Sequence, residues 1–95
     1  MFSSIVEPCV YILTNKRNGT LYIGVTHNLR QRMEAHKAKQ VEAFTKRYEV
    51  NRLVWYEKHD TMESAIRREK TLKKWKRAWK LCLIEEANPT WKELL

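Results

Sequence analysis

The sequence predicts one α+β domain with the element order β-β-α-β-α-α. Three short runs rich in β-branched and aromatic residues are separated and followed by segments with helical periodicity. The 95 residues fit one domain, and the two glycines and two prolines exclude collagen-like and low-complexity classes. We expect a single domain over residues 1–95, with its core at about 9–86 and a C-terminal tail at 87–95.

The first two strands are expected to form a β-hairpin. Residues 9–13 and 21–23 have high strand propensity, and Asn18 and Gly19 between them tolerate positive φ. Gly24 is expected to end the second strand. The two strands would bring a tyrosine each to the sheet, and these tyrosines can share one face.

A helix is predicted to begin after Asn28, a good N-cap residue, and to run to about Lys39. One of its faces carries two apolar anchors and two polar groups, namely Leu29, Arg32, Met33 and His36. Residues 40–51 are predicted as a loop or a short irregular helix. The run at 53–57 is predicted as the third strand because of its strong β propensity.

The next helix is predicted to open with a capping box of Asp60 and Glu63 and to run to about Lys74. A last helix is predicted from residue 75 or 76 to residue 86, because the proline at 89 disfavours helix immediately before it. Helical spacing also predicts a core stripe of Trp75, Trp79 and Leu83, in preference to the alternative that an exposed tryptophan stacks on an unpaired base. Trp91 and Leu94 are expected to pack the tail back on the body.

The charge of the chain favours a polyanionic partner. A formal charge of +8 and a pI near 9.7 produce a positive potential that attracts nucleic acid. The alternative is that the charge only keeps the domain soluble. A basic run could contact phosphates through Arg67, Arg68, Lys70, Lys73, Lys74, Lys76, Arg77 and Lys80.

Other classes of protein are not indicated. The first eight residues lack the features of a signal peptide, and no stretch approaches the ~20 apolar residues of a membrane span. Cys9 and Cys82 are far apart and lack metal-ligand spacing, so neither a disulfide scaffold nor a zinc site is expected. We expect a protein of the reducing cytosol without a membrane partner.

Two side-chain patterns could carry chemistry. Glu69 falls within an apolar helical stripe, where a carboxylate is unusual unless it is paired or metal-bound; Lys73 shares that face and is the alternative partner. Arg32 and His36 are four residues apart on one helix, so their heads can meet. A guanidinium can hold phosphate and histidine can move protons, although an ordinary amphipathic helix has the same spacing.

In combination these features resemble the GIY-YIG nuclease family, in particular its short stand-alone members. The resemblance spans about residues 10–83. Tyr22-Ile23-Gly24 matches the second signature and Val10-Tyr11 the end of the first, in which Cys9 replaces the glycine of the family. Family positions are matched by Arg32 at the catalytic arginine, His36 at a common histidine, Glu69 at the metal-binding glutamate and Lys73 at a frequent lysine.

The resemblance implies a small three-stranded antiparallel sheet flanked by helices, and a metal-dependent endonuclease acting on DNA, structured or single-stranded. It implies one Mg²⁺ or Mn²⁺ at Glu69 and proton transfer from water to Tyr11 or Tyr22. Arg32 would stabilise developing charge, His36 would orient or shuttle protons, and Gly24 would let the substrate backbone come close.

Two other functions stay open at this point. The first is a nucleic-acid-binding module that keeps the fold but performs no chemistry alone, which the basic run would also serve. The second is an interaction or structural domain whose charge is incidental.

Overall fold

The computed structural model describes residues 7–38 and 47–95. Its elements are β1 (Cys9–Thr14), β2 (Leu21–Thr26), α1 (Leu29–Lys37), β3 (Arg52–Lys58), α2 (Met62–Lys74) and α3 (Arg77–Ala87). Within these residues the expected order β-β-α-β-α-α is confirmed. Much of the segment predicted as a loop or irregular helix, 40–51, lies outside the described residues.

The three strands form one antiparallel sheet in the order β2-β1-β3, so β1 is the central strand. Every residue of β1 is buried. The hairpin is confirmed, but the prediction that Gly24 ends β2 is wrong: Gly24 pairs with Tyr11, and the ladder continues to the pair of Thr26 and Cys9. The two residues after Gly24 stay in the strand because β1 extends alongside them and pairs with both.

The hairpin loop is closed by its own side chains. Asn18 adopts a positive φ of 57°, as expected for this residue type, and Gly19 N donates to Lys16 O at 2.9 Å. Asn15 Oδ1 accepts from Thr20 N at 3.1 Å. A Cβ on Gly19 would lie 2.1 Å from Asn15 Oδ1, so the glycine is needed for close approach within the loop.

Two helix starts show how local hydrogen bonds select the cap. The prediction for Asn28 is confirmed, since its side chain accepts from Gln31 N at 3.1 Å. The capping box of Asp60 and Glu63 is wrong. Thr61 caps α2 instead and accepts from Ser64 N, because the helix begins one residue later than the box requires.

The sheet has two faces with different contents. On the face that we call the aliphatic face, Val10, Ile12 and Ile23 form a cluster with residues of α2, α3 and the tail, including Ala65, Leu72, Ile84 and Trp91. On the opposite face, which we call the tyrosine face, Tyr11 and Leu13 pack with Leu29 and Met33 of α1. The alternation of side chains along β1 produces this division.

A β-bulge in β3 adjusts which residues reach each face. The register between β1 and β3 shifts between Ile12 and Leu13, which pair with Trp55 and Leu53. The extra residue, Val54, joins Trp55 in the cluster of the aliphatic face, while Leu53 packs on the tyrosine face.

The tryptophan stripe predicted for the last helix is wrong at Trp79. Trp75 is the C-cap of α2 in an extended conformation (φ −68°, ψ 150°), so the helix is interrupted before α3 begins. Four-residue spacing therefore does not place Trp75 and Trp79 on one face. Trp75 packs against the core, but Trp79 is 53% exposed. None of the described helices is long and apolar enough to cross a membrane.

The C-terminal tail returns to the sheet, as expected for Trp91 and Leu94. Trp91 is fully buried, and Leu94 packs on the tyrosine face. Glu93 Oε2 accepts from Leu53 N at 3.0 Å, while Leu94 N donates to Leu53 O at 3.0 Å. Glu93 also accepts a hydrogen bond from Lys37 Nζ at 2.9 Å, so the tail joins β3 to α1.

Candidate active site

Three of the residues predicted for the site meet on the tyrosine face. Tyr11 Oη and His36 Nε2 share a buried hydrogen bond of 3.1 Å. The ring centroids of Tyr11 and Tyr22 are 6.3 Å apart, and that of His36 lies 5.9 Å from Tyr11 and 5.6 Å from Tyr22. The expectation that the tyrosines share one face is confirmed.

The glycine of β2 makes room for this cluster. A Cβ on Gly24 would lie 2.5 Å from both Cζ and Oη of Tyr11, a distance that real contacts do not reach. The structure thus gives the missing side chain a packing role; that it also lets the substrate backbone come close stays a prediction. Gly24 leaves the space that the Tyr11 phenol occupies.

His36 is held in its neutral form. Burial, and secondarily the positive charge of Arg32, lower its pKa from 6.5 to about 4. The residue is only 2% exposed. At neutral pH the ring is therefore uncharged while it shares a hydrogen bond with the Tyr11 hydroxyl. Its role in orienting groups or shuttling protons stays a prediction.

Arg32 lies one helical turn before His36 and reaches an open cleft. The cleft has a volume of about 570 Å³ and lies where the end of β2 meets α1. Its wall is lined by Thr26, His27, Gln31, Arg32, Glu34, Ala35 and Ala38. Sequence reasoning missed His27 and Gln31 as cleft residues, although their position beside the N-cap at a strand-to-helix junction was a usable signal.

Glu69 approaches from the other side of the sheet. Its helix, α2, packs against β2 and β1 on the aliphatic face, whereas the tyrosines and α1 lie on the opposite face. The Glu69 side chain is only 15% exposed and its Oε2 is 3.2 Å from Nζ of Lys73. Glu69 is therefore largely buried, as predicted, and it also forms an ion pair with Lys73, the alternative partner. The strand that carries Tyr22, β2, lies at the edge of the sheet, and α2 packs against it from the aliphatic face.

The remaining cations predicted to bind substrate lie on the outer side of α2. Lys70 and Lys74 are exposed, and the Lys73 side chain is 54% exposed beside Glu69. Arg67 is 70% exposed, with its guanidinium 3.9 Å from Glu63. A pair so open to water is strongly screened and leaves the guanidinium available to phosphate.

Comparisons with known proteins identify a family and relatives of this chain. Residues 7–82 match the GIY-YIG catalytic domain. The chain is 38% identical over 77 residues to UPF0213 protein SH2523 of Staphylococcus haemolyticus, covering 81% of this chain and 93% of that one. It is also 38% identical over 81 residues to a UPF0213 protein of Syntrophus aciditrophicus, covering 84% and 91%.

The fold is also similar to a solved structure. The solution NMR structure of UPF0213 protein BH0048 from Bacillus halodurans superposes with a TM-score of 0.57 at 25% identity. The match covers 92% of each chain.

Proposed function

Since this chain belongs to the GIY-YIG family, a nuclease family, we propose that it is a divalent-metal-dependent endonuclease that hydrolyses phosphodiester bonds of DNA, structured or single-stranded. The observation that carries the proposal is the buried hydrogen bond between Tyr11 and His36, with Tyr22 in ring contact with both. Holding two phenols and an imidazole together in a small domain costs conformational entropy. A cluster of this kind is typical of a catalytic site.

The donor set supports Mg²⁺ or Mn²⁺ as the ion. Mg²⁺ binds through one or two carboxylates and keeps several waters, so Glu69, a largely buried carboxylate, is a fitting protein ligand. Among the described residues no group of three or more acidic, histidine or cysteine side chains is found, so Glu69 would hold the ion as a single carboxylate, with water and substrate phosphate as the other ligands. When bound, the ion would supply Lewis-acid polarisation of the scissile phosphate.

The tyrosines would divide two tasks between them. Tyr11 is 1% exposed and tied to neutral His36, so it serves to position the cluster. Tyr22 is only partly buried, so it is the more accessible of the two phenols. We assign Tyr22 as the general base: its deprotonated phenolate, stabilised by the positive charge of the bound ion, would accept the proton of the attacking water.

Arg32 would stabilise the transition state. Its helix presents the guanidinium to the cleft at the end of β2, where a phosphate can enter. Two parallel N–H donors match the oxygens of a phosphate, and they strengthen as negative charge develops in the transition state. Its positive charge also adds to the effect of burial in keeping His36 neutral. The two residues of α1 therefore act together.

The test is cleavage of labelled DNA oligonucleotides, single-stranded and branched, with Mg²⁺, Mn²⁺ or EDTA. We expect cutting that requires the metal, and a loss of about 10²-fold or more in Arg32→Ala. Arg30→Ala removes an exposed guanidinium from the same helix and is the matched control, expected to cut at nearly the normal rate. Equal rates for the two variants would remove Arg32 from the mechanism.

The ion pair of Glu69 with Lys73 favours one rival function, a binding module without chemistry of its own. In such a module the carboxylate would only stabilise α2. The discriminating variant is Glu69→Gln, which keeps the shape of the side chain. As a nuclease, the protein should lose cutting while retaining salt-sensitive DNA binding. In the rival case no substrate is cut by the natural protein, with or without metal.

A further inference from the structure

The side chain of Trp79 lies outside both the core and the candidate active site. Trp79 is 53% exposed, whereas Trp91 is fully buried and Trp55 is 6% exposed. The ring of Trp79 is nevertheless held in place. It contacts Trp75 edge-to-face, with centroids 5.9 Å apart and planes at 82°, and Lys76 Nζ lies 5.9 Å from its centroid. A flat apolar surface is thus presented to solvent in a defined orientation.

The surroundings of this ring are strongly cationic. From residue 70 to residue 84 the sequence contains no acidic residue, and its cations are Lys70, Lys73, Lys74, Lys76, Arg77 and Lys80. Arg77 Nη2 donates to the carbonyl oxygens of Asn18 and Gly19 at 2.8 and 2.7 Å. This contact brings the hairpin loop beside α3, and with it the exposed Lys16 and Arg17.

We propose that Trp79 stacks on an unpaired base of a nucleic-acid strand whose phosphates are contacted by the cations of α2, α3 and the hairpin loop. The proposal rests on the nucleic-acid substrate proposed above and adds the form of that substrate, a strand with unpaired bases. A ring beside a track of positive charge is the arrangement by which proteins hold single strands, because every base offers a face for stacking. Lys73 connects this surface to Glu69 through their ion pair.

An anionic membrane would also attract these cations, but α3 does not suit it. A helix that lies in a membrane surface presents a continuous apolar face. Here Leu81 and Leu83 pack against the core, and Trp79 is the only large apolar side chain of α3 that is exposed. One isolated ring among lysines fits a base better than an acyl layer.

The experiment compares two substitutions that differ in stacking ability. Trp79→Phe keeps an aromatic face, and Trp79→Leu keeps apolar bulk without one. Binding is measured in EDTA, without cleavage, by fluorescence anisotropy on a blunt DNA duplex and on the same duplex with a single-stranded overhang. We expect Trp79→Leu to weaken binding to the overhang duplex by about tenfold and to leave the blunt duplex nearly unchanged. Trp79→Phe should retain most of the affinity. Equal unfolding midpoints in urea would show that both variants fold.

Three results would overturn the proposal. Trp79→Leu could bind the overhang duplex as tightly as the natural protein, or it could weaken both duplexes equally. It could also lose binding to phosphatidylserine vesicles while keeping binding to DNA. Metal-dependent cutting is measured separately. If the natural protein cuts DNA but Trp79→Leu binds the overhang duplex normally, only the stacking inference is contradicted. If Trp79→Leu selectively loses binding to the overhang duplex but the natural protein cuts no DNA, only the endonuclease proposal is contradicted.

Discussion

The two faces of the sheet are built on the same strands and have opposite chemistry. The aliphatic face joins Val10, Ile12 and Ile23 to Leu72 in a cluster dominated by apolar side chains. The tyrosine face places a buried hydrogen bond between Tyr11 and His36 among apolar neighbours. Because neighbouring residues of β1 point to opposite faces, packing on one face fixes the register that aligns the site on the other. The difference predicts that substitutions in the apolar cluster away from Glu69 will change stability without changing the Tyr11 and His36 pair.

The largest effect should come from the aliphatic face. Ile84→Ala removes a fully buried side chain from α3, and we expect the free energy of unfolding to fall by about 2–5 kcal/mol. The cleavage rate per folded molecule should stay the same, since α3 carries none of the proposed catalytic residues. Urea unfolding and cleavage at low temperature measure the two quantities. The exposed neighbour Glu86→Ala is the control, and a fall in the rate of folded Ile84→Ala would contradict the separation of stability from chemistry.

The second effect is a pH dependence from the tyrosine face. The pKa of His36 is lowered to about 4 in the folded state, so the unfolded chain binds the proton more readily. Above pH 6.5 the ring is neutral in both states, so it does not change the free energy of unfolding. As the pH falls from 6.5 to about 4, the unfolded chain takes up the proton and the free energy of unfolding decreases, by at most about 3 kcal/mol. Urea unfolding from pH 7 to pH 4 measures this slope. His36→Gln should flatten it, whereas the exposed His27→Gln should leave it unchanged.

The third effect compares substitutions at two adjacent residues of β2 that lie on opposite faces of the sheet. Gly24→Ala would push a Cβ into the Tyr11 ring, and overpacking of this kind costs about 1–3 kcal/mol. Val25→Ala instead leaves a small gap on the aliphatic face. We expect the ring resonances of His36 in NMR spectra to shift in Gly24→Ala and to stay in place in Val25→Ala. Shifts of the same size in both variants would contradict the assignment of Gly24 to ring packing.

The smallest effect compares the helix caps on the two faces. Asn28→Ala and Thr61→Ala each remove one capping hydrogen bond, so each should lower the unfolding free energy by about 1 kcal/mol. The start of α1 carries Arg32, and the start of α2 is two turns from Glu69. Cleavage by folded protein should therefore fall more in Asn28→Ala. Equal rates would indicate that the position of Arg32 tolerates fraying of its helix.

Much of the fold could be predicted because its signals are local. Strand propensity and turn residues defined the hairpin, and Asn28 marked the start of α1. The cap of α2 could not be chosen correctly because Asp60 and Thr61 are both good cap residues, and the helix start selected between them. Trp79 was placed wrongly because two extended residues, Trp75 and Lys76, interrupt the helix and change the phase of the helical pattern.

The site was predicted less completely for reasons of long-range geometry. The spacing on α1 correctly placed Arg32 near His36, but the hydrogen bond of His36 to Tyr11 joins residues 25 positions apart. The contact that explains Gly24 also depends on the pairing of β1 with β2. The roles of Tyr11, Tyr22, Arg32, His36 and Glu69 stay predictions until the variants above are measured.

The tail contact at Leu53 has a consequence for association between molecules. Glu93 and Leu94 engage both backbone groups of Leu53, which belongs to β3 at the border of the sheet. An unprotected border strand is a template on which a second chain can add its own strand. The tail therefore blocks the addition of a second strand at Leu53. The Glu93 carboxylate accepts the backbone hydrogen bond that a strand of a neighbouring molecule would otherwise accept.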